Sequence, residues 1–173
     1  ALRRAGVSTA RSLGSDDPAA VRRFAAEVGY PLILKPRAAA GASGTMRVDD
    51  DAGLDKAIQE YSLGRGGTAA VEEFIEGHEG FYDTVTAGGR IVHDFVGHYY
   101  PGCLEALQSR AITPQIACTN RIDADGYREL RDVGQRVITA LGLVDCATHM
   151  EWFFGPKGLK VSELGARPAG ERI

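Results

Sequence analysis

The chain has 173 residues, 44% of them hydrophobic, which suits one compact domain or two small lobes. A formal net charge of -3 gives no basic surface for nucleic acid, and no apolar run approaches the ~20 residues of a membrane helix. The three cysteines, Cys103, Cys118 and Cys146, lack the spacing of a disulfide framework or a zinc site. The composition therefore excludes nucleic-acid and membrane partners and predicts a cytoplasmic protein with reduced thiols.

Both ends of the sequence look cut. Residues 1–7 have a helical pattern without a capping residue or a starting methionine, and Ile173 directly follows a turn that contains glycine and arginine. We therefore expect a segment of a longer protein, or the ordered part of one.

The first half of the chain predicts helices and short strands in alternation. Residues 16–18, two aspartates and a proline, are typical of a helix start, and Gly29 is typical of its end. The elements predicted next are a strand over 30–34, a small-residue loop over 38–44, a strand over 45–48 and a helix over 52–61 that begins after aspartates.

The second half predicts mostly strands. The elements are strands over 69–75, 81–86 and 91–96, an irregular connection over 99–119, a helix capped by Asp123 or Asp125 and ended by Gly142, and strands over 146–154 and 159–164. Strands in hairpin succession favour an α+β architecture over a doubly wound parallel sheet. Two lobes fit best, with a boundary near Glu76 and Gly77.

A lysine followed by a loop of small residues is the first candidate motif. Lys35 ends an apolar strand, and residues 38–44 read Ala-Ala-Ala-Gly-Ala-Ser-Gly. An ammonium group offsets phosphate charge, and a loop without bulky side chains can offer backbone N–H groups to a triphosphate. A strand that ends in lysine before a flexible turn explains the same pattern.

The second motif is an apolar strand dense in carboxylates, residues 71–79. Adenine requires hydrogen-bond partners at its edge and apolar groups on its faces, and a ribose requires a carboxylate for its hydroxyls. One strand running into a turn can supply all of these. A solvated acidic turn is the alternative.

Two glutamates on consecutive strands form the third motif. If the strands over 146–154 and 159–164 are antiparallel neighbours, Glu151 and Glu163 can converge on one face, which suits Mg²⁺ that bridges ATP phosphates. Arg167, held by the following proline, can stabilise a transferring phosphoryl group. Exposed strand carboxylates are the alternative for the glutamates. His149 is interpreted as structural, with acid–base chemistry as its alternative.

In their order and spacing, these three blocks resemble the ATP-grasp superfamily over nearly the whole chain. The resemblance implies that Lys35 contacts phosphates, that Glu79 holds the ribose, that Glu151 and Glu163 bind the metal, and that Arg167 and Lys35 are catalytic. The further nucleotide-binding residues that it implies are the loop residues Ala40, Gly41, Ala42, Ser43 and Gly44 and the adenine-binding hinge Glu72, Glu73, Phe74 and Ile75.

The resemblance is to the branch of carboxylate–amine ligases. Residues 163–170, Glu-Leu-Gly-Ala-Arg-Pro-Ala-Gly, look like those of amino-acid ligases and carnosine synthase. One departure is Gly165, where many members have an asparagine that binds metal; bidentate Glu163 or water would replace it. The family's N-terminal domain is also missing from the sequence.

The resemblance implies two α+β lobes, residues 1–76 and a truncated 77–173, that grip ATP between antiparallel sheets. It implies ATP and Mg²⁺, or Mn²⁺, as cofactors, and small-molecule carboxylate and amine substrates joined through an acyl phosphate. A homodimer through the full-length protein is compatible with the sequence. The alternatives are a biotin-carboxylase-like or purine-pathway ligase, a non-catalytic ATP-binding fragment and a protein-interaction domain.

Overall fold

A computed structural model describes residues 1–37, 44–109, 112 and 115–170 and divides the chain into two compact units, each built on its own sheet. The smaller unit spans residues 10–74, and the larger unit comprises residues 1–9 and 75–173. The functional division into lobes 1–76 and 77–173 stays a prediction.

The smaller unit contains a four-stranded antiparallel sheet in the order β1-β4-β2-β3. Its elements are β1 (Ser12–Ser15), α1 (Pro18–Val28), β2 (Leu32–Pro36), β3 (Met46–Val48), α2 (Asp51–Glu60) and β4 (Ala69–Glu73). Both helices start where the sequence predicts, because the Asp17 side chain accepts hydrogen bonds from the N–H groups of Ala19 and Ala20, and Asp50 accepts one from Gly53.

The core of the smaller unit lies on one face of its sheet. Leu34 and Val71 on the strands are buried with Val21 and Phe24 of α1 and Leu54 of α2. Because side chains alternate along a strand, the neighbours of Leu34 and Val71 point to the other face, which the helices do not cover.

The larger unit contains a five-stranded antiparallel sheet in the order β7-β6-β5-β8-β9. Its elements are a 3₁₀ turn (Leu2–Ala5), β5 (His78–Ala87), β6 (Arg90–Tyr100), α3 (Cys103–Ser109), β7 (Gln115–Thr119), a 3₁₀ turn (Asp125–Tyr127), α4 (Arg128–Leu141), β8 (Cys146–Gly155) and β9 (Gly158–Gly165).

Helix α4 packs on one face of this sheet. Its apolar stripe, which includes Val133 and Val137, is buried against Tyr82 of β5 and against Met150 and Trp152 of β8. As predicted, α4 ends at Gly142, whose φ of 67° is a left-handed conformation that glycine adopts without strain.

Several local predictions are wrong. Residues 1–7 form only one 3₁₀ turn, and α4 begins after Tyr127 without a side-chain cap. Neither Asp123 nor Asp125 caps α4, because a 3₁₀ turn intervenes and each side chain pairs with an arginine instead. The connection over 99–119 is not irregular, since it contains the end of β6, α3 and β7.

The β8–β9 hairpin contains a bulge. Met150 pairs with Leu164, and Trp152 pairs with Val161. One residue therefore separates the two positions on β8, whereas two residues separate them on β9. Bulges re-aim side chains, and this one lies opposite Glu151.

Among the residues that the structure describes, none belongs to a helix long and apolar enough to cross a membrane.

Candidate active site

The residues predicted to bind ATP are divided between the two units. In the smaller unit, Lys35 lies on the sheet face opposite α1 and α2, where its Nζ is 3.0 Å from Oε2 of Glu72 on β4. Both side chains are partly buried, with 29% and 24% of their surfaces exposed. In this structure, the lysine predicted to contact phosphate is paired with one of the carboxylates predicted to flank adenine.

Of the predicted phosphate loop, residues 38–43, which include Ala40, Gly41, Ala42 and Ser43, lie outside the described part of the chain. Gly44 is described, with a φ of 70° that favours glycine, and an added Cβ there would lie 3.0 Å from Cγ of Pro36.

Tyr61 contacts Gly44 and the strand β2 that precedes the predicted loop. Its hydroxyl donates to the carbonyl oxygens of Gly44 and, at 3.2 Å, of Leu34. Burial raises the pKa of Tyr61 to about 12, so the phenol stays protonated and able to donate. Tyr61 therefore connects Gly44 to Leu34 of β2.

The predicted adenine-binding hinge spans the end of β4 and the residues after it. Glu73 is held against β1, since its N–H donates to the carbonyl of Arg11 at 2.8 Å and its side chain accepts from the N–H of Arg11. The Phe74 N–H donates to the carbonyl of Pro31, and the guanidinium of Arg47 lies 4.4 Å from the Phe74 ring centroid. Ile75, half-buried, begins the larger unit's main segment.

In the larger unit, the remaining predicted site residues share the sheet face opposite α4, which we call the carboxylate face. Glu151 lies between Met150 and Trp152, and Glu163 lies beside Leu164, all of which pack toward α4. Since alternate residues of a strand point to opposite faces, both glutamates point away from the helix. Alternation from the buried Tyr82 places Glu79 and Asp83 of β5 on the same face.

A buried pair lies beside Glu151. Nδ1 of His149 is 2.6 Å from Oδ1 of Asp83, and both side chains are more than 90% buried. Nε2 of His149 is 3.8 Å from Oε1 of Glu151. The hydrogen bond to Asp83, followed by the nearby Glu151 carboxylate, raises the pKa of His149 to about 9 against the opposing effect of burial.

Glu79, the predicted ribose ligand, is 8% exposed and lies under the start of α3. Its Oε2 accepts a hydrogen bond of 2.7 Å from the backbone N–H of Cys103. Burial, and then the charge of Glu79, raise the pKa of the Cys103 thiol, which is therefore an un-ionised group at neutral pH.

Arg167 lies over Gly165 at the end of β9. A Cβ added to Gly165 would be 3.2 Å from Cγ of Arg167, and Nη1 of Arg167 donates to the carbonyl of Pro168 at 2.8 Å. Any side chain at position 165 would compete with Arg167 for this space. Gly165 thus leaves room for the Arg167 side chain.

Sequence reasoning missed Asp83 and left the histidine as structural. The structure brings Asp83, His149 and Glu151 together because Asp83 and His149 are direct register partners across β5 and β8. The available signal was a lone aspartate within an apolar strand, which seldom stays buried without a partner.

The two glutamates fit a magnesium ion by donor chemistry, since both offer hard carboxylate oxygens from paired strands. In the part of the chain that the structure describes, no group of three or more His, Cys, Asp or Glu side chains is arranged to hold a metal. Few protein ligands, with the rest left to water and phosphates, are typical of Mg²⁺ in nucleotide sites.

Comparisons with known proteins identify the family and the fold. The ATP-grasp domain family matches residues 1–170. D-Alanine–D-alanine ligase A of Mesorhizobium japonicum is 32% identical over 180 residues, which cover 96% of this chain and 49% of the relative. Alanine–anticapsin ligase of Bacillus subtilis is 28% identical over 177 residues, which cover 87% of this chain and 36% of the relative.

A solved structure of the ATP-grasp ligase PsnB, complexed with a minimal precursor, Mg and ADP, superposes with a TM-score of 0.67 at 24% identity. The match covers 98% of this chain and 48% of that protein. Two antiparallel α+β units of this kind define the ATP-grasp fold, as the sequence predicts. The chain belongs to the ATP-grasp family. It spans less than half the length of these three proteins.

Proposed function

We propose that the full-length protein is an ATP- and Mg²⁺-dependent ligase that activates a carboxylate as an acyl phosphate for attack by an amine. The observation that carries the proposal is that Glu151 and Glu163 share one face of a bulged hairpin, at whose end Arg167 lies over Gly165. The relatives support it, since they are named as ligases of D-alanine or alanine.

The substrate carboxylate attacks the γ-phosphorus of ATP in line, which forms a C–O–P bond and releases ADP. The amine then attacks the acyl carbon, and inorganic phosphate leaves as the C–N bond forms. A bound Mg²⁺ would offset charge on the phosphates during the first step. This chain's residues supply positioning and charge, so no nucleophilic side chain is needed.

Lys35 is the cation we assign to the phosphates. Its present partner, Glu72, is 3.0 Å away and partly buried, so the ammonium is held on the sheet rather than extended into solvent. Phosphate oxygens would share or replace this carboxylate as the partner of Nζ. Residues 40–44 are assigned to the same phosphates, and Tyr61 contacts the carbonyl oxygen of Gly44.

Glu151 and Glu163 are the residues we assign to the metal, and Arg167 is assigned to the transferred phosphoryl group. Arg167 is exposed and makes its hydrogen bond to the neighbouring Pro168 carbonyl, so it can turn toward an anion at little cost. Glu79 is assigned to the ribose, and residues 72–75 to adenine. The cytoplasm is the compartment we infer, since the three cysteines are free thiols.

ADP release by the full-length protein tests this function. Amino acids are offered singly and in pairs with MgATP, and the products are examined for a new amide bond. We expect ADP release that requires both a carboxylate and an amine, and that falls at least tenfold in Lys35→Met.

Lys56→Met is the matched control, because Lys56 is exposed on α2. It should release ADP like the wild type. ADP release that does not depend on a carboxylate, or equal rates in the two lysine variants, would contradict the proposal.

A further inference from the structure

The imidazole of His149 is fixed on the carboxylate face by its neighbours. Asp83 binds Nδ1 at 2.6 Å, and the Phe81 ring packs against the imidazole with centroids 5.3 Å apart. Phe81 is itself confined, because a Cβ on Gly97 of β6 would lie 2.0 Å from its Cζ. With 7% of its side chain exposed, His149 has no room for another orientation.

The hydrogen bond between Asp83 and Nδ1 determines which ring atom of His149 faces Glu151. Because Asp83 takes the Nδ1 side of the ring, Nε2 is directed along the strand to Oε1 of Glu151, 3.8 Å away. This separation is an ion-pair distance and is longer than a hydrogen bond. The contact therefore restricts where one oxygen of Glu151 can lie and leaves the carboxylate able to bind a cation.

We propose that His149 is a positioning residue for Glu151: supported by Asp83, it holds that carboxylate in the orientation that binds magnesium. The inference rests on the function proposed above. Glu151 has three side-chain torsions and is 25% exposed, so without a fixed neighbour it would sample several orientations. Ligating carboxylates in metalloproteins are commonly held by an outer hydrogen-bonding group, whose loss lowers metal affinity about 10- to 100-fold.

A cationic imidazole would also repel a metal ion, so removing His149 has two opposite effects. Orientation dominates in this proposal because the geometry of the buried pair is rigid, whereas the charge of His149 is balanced by Asp83 at 2.6 Å. If orientation dominates, removing His149 raises the Mg²⁺ concentration required for ATP binding. If repulsion dominates, removing it lowers that concentration.

The test is calorimetric ATP binding to the full-length protein over a series of Mg²⁺ concentrations. His149→Asn keeps a donor for Asp83 and removes the nitrogen that faces Glu151. We expect the Mg²⁺ concentration for half-maximal ATP binding to rise about tenfold or more, with ATP affinity at saturating Mg²⁺ restored to the wild-type value. Asp83→Asn weakens the support of the imidazole and should also raise this Mg²⁺ concentration. It replaces His149→Asn in the test if that variant does not fold.

Thr148→Val is the matched control. Thr148 and Thr84 form the neighbouring buried pair across the same two strands, 2.7 Å apart and on the opposite face. This variant should lower the melting temperature and leave the Mg²⁺ requirement unchanged.

An unchanged or lower Mg²⁺ requirement in folded His149→Asn, or an equal rise in Thr148→Val, would overturn the positioning role while the proposed function stands. A wild-type protein that binds no ATP in the presence of Mg²⁺ would overturn both.

Discussion

Burial of His149 between two carboxylates makes the stability of the larger unit depend on pH. The hydrogen bond to Asp83, and then the nearby Glu151 carboxylate, raise the pKa of His149 from 6.5 to about 9 on folding. Because the folded state binds the proton more tightly, this stabilisation is complete below pH 6.5. It is lost as the pH rises through 9.

The magnitude follows from the difference between the two pKa values. At about 1.4 kcal/mol per pKa unit, the free energy of unfolding should fall by about 3 kcal/mol between pH 6.5 and 9. The groups that face the imidazole are Asp83 from β5 and Glu151 from its own strand. Of the three side chains, His149 is the one whose pKa folding moves into this range.

The assay is urea denaturation of this chain in the presence of a chelator, at pH values from 6 to 9. It is followed by the fluorescence of Trp152, the single tryptophan, which lies in the core of the same unit. His149→Gln is measured in parallel, so that contributions from other groups, such as the half-buried Cys103, cancel. The advantage of the wild type in free energy of unfolding should shrink with rising pH. A difference that stays constant from pH 6.5 to 9 would show that His149 does not cause the pH dependence.

The remaining predictions concern packing, capping and the end of β9. Gly134→Ala should lower the free energy of unfolding by about 1 to 2 kcal/mol, because the added Cβ would lie 2.3 Å from a ring carbon of Tyr82. The control Gly126→Ala should have little effect, because an added Cβ there has no atom within 4 Å. Asp17→Ala should lower the stability of the smaller unit by about 1 kcal/mol in denaturant titrations, since two N–H groups lose their acceptor. Arg167→Met should slow ADP release by the full-length protein about tenfold with an unchanged melting temperature, because the exposed guanidinium has no structural partner beyond the neighbouring Pro168 carbonyl among the hydrogen bonds of the described residues. Unchanged release would contradict the role given to that arginine.

The parts of the fold that local chemistry determines could be predicted from the sequence. An aspartate before each of α1 and α2, and Gly142 after α4, mark helix ends through hydrogen bonds and backbone conformation within a few residues. The β8–β9 hairpin was predictable for the same reason, because two apolar strands flank a short Gly- and Pro-containing turn.

Elements that depend on distant partners could not be predicted. The β1 segment, Ser-Leu-Gly-Ser, has little strand propensity of its own and is a strand because it pairs with β4, almost 60 residues later in the sequence. Strand β7 likewise depends on its pairing with the end of β6.

The same distinction holds for the candidate site. The motifs identify Lys35, Glu151 and Glu163 as chemically suited to a nucleotide, and their roles stay predictions. Neither the pairing of Lys35 with Glu72 nor that of His149 with Asp83 could be read from sequence, because each needs the register between two strands. The covering of Gly165 by Arg167 depends on a turn whose conformation the residue types leave open.

In the proposed function, two glutamates on the carboxylate face bind the metal that ATP requires. Calorimetry of ATP binding to the full-length protein, with Mg²⁺ and with chelator, tests it most directly in wild type, Glu163→Gln and the control Glu129→Gln, an exposed carboxylate on α4. We predict Mg²⁺-dependent binding in wild type and Glu129→Gln, weakened at least tenfold in Glu163→Gln. ATP binding that is indifferent to Mg²⁺, or equal in all three proteins, would contradict the account.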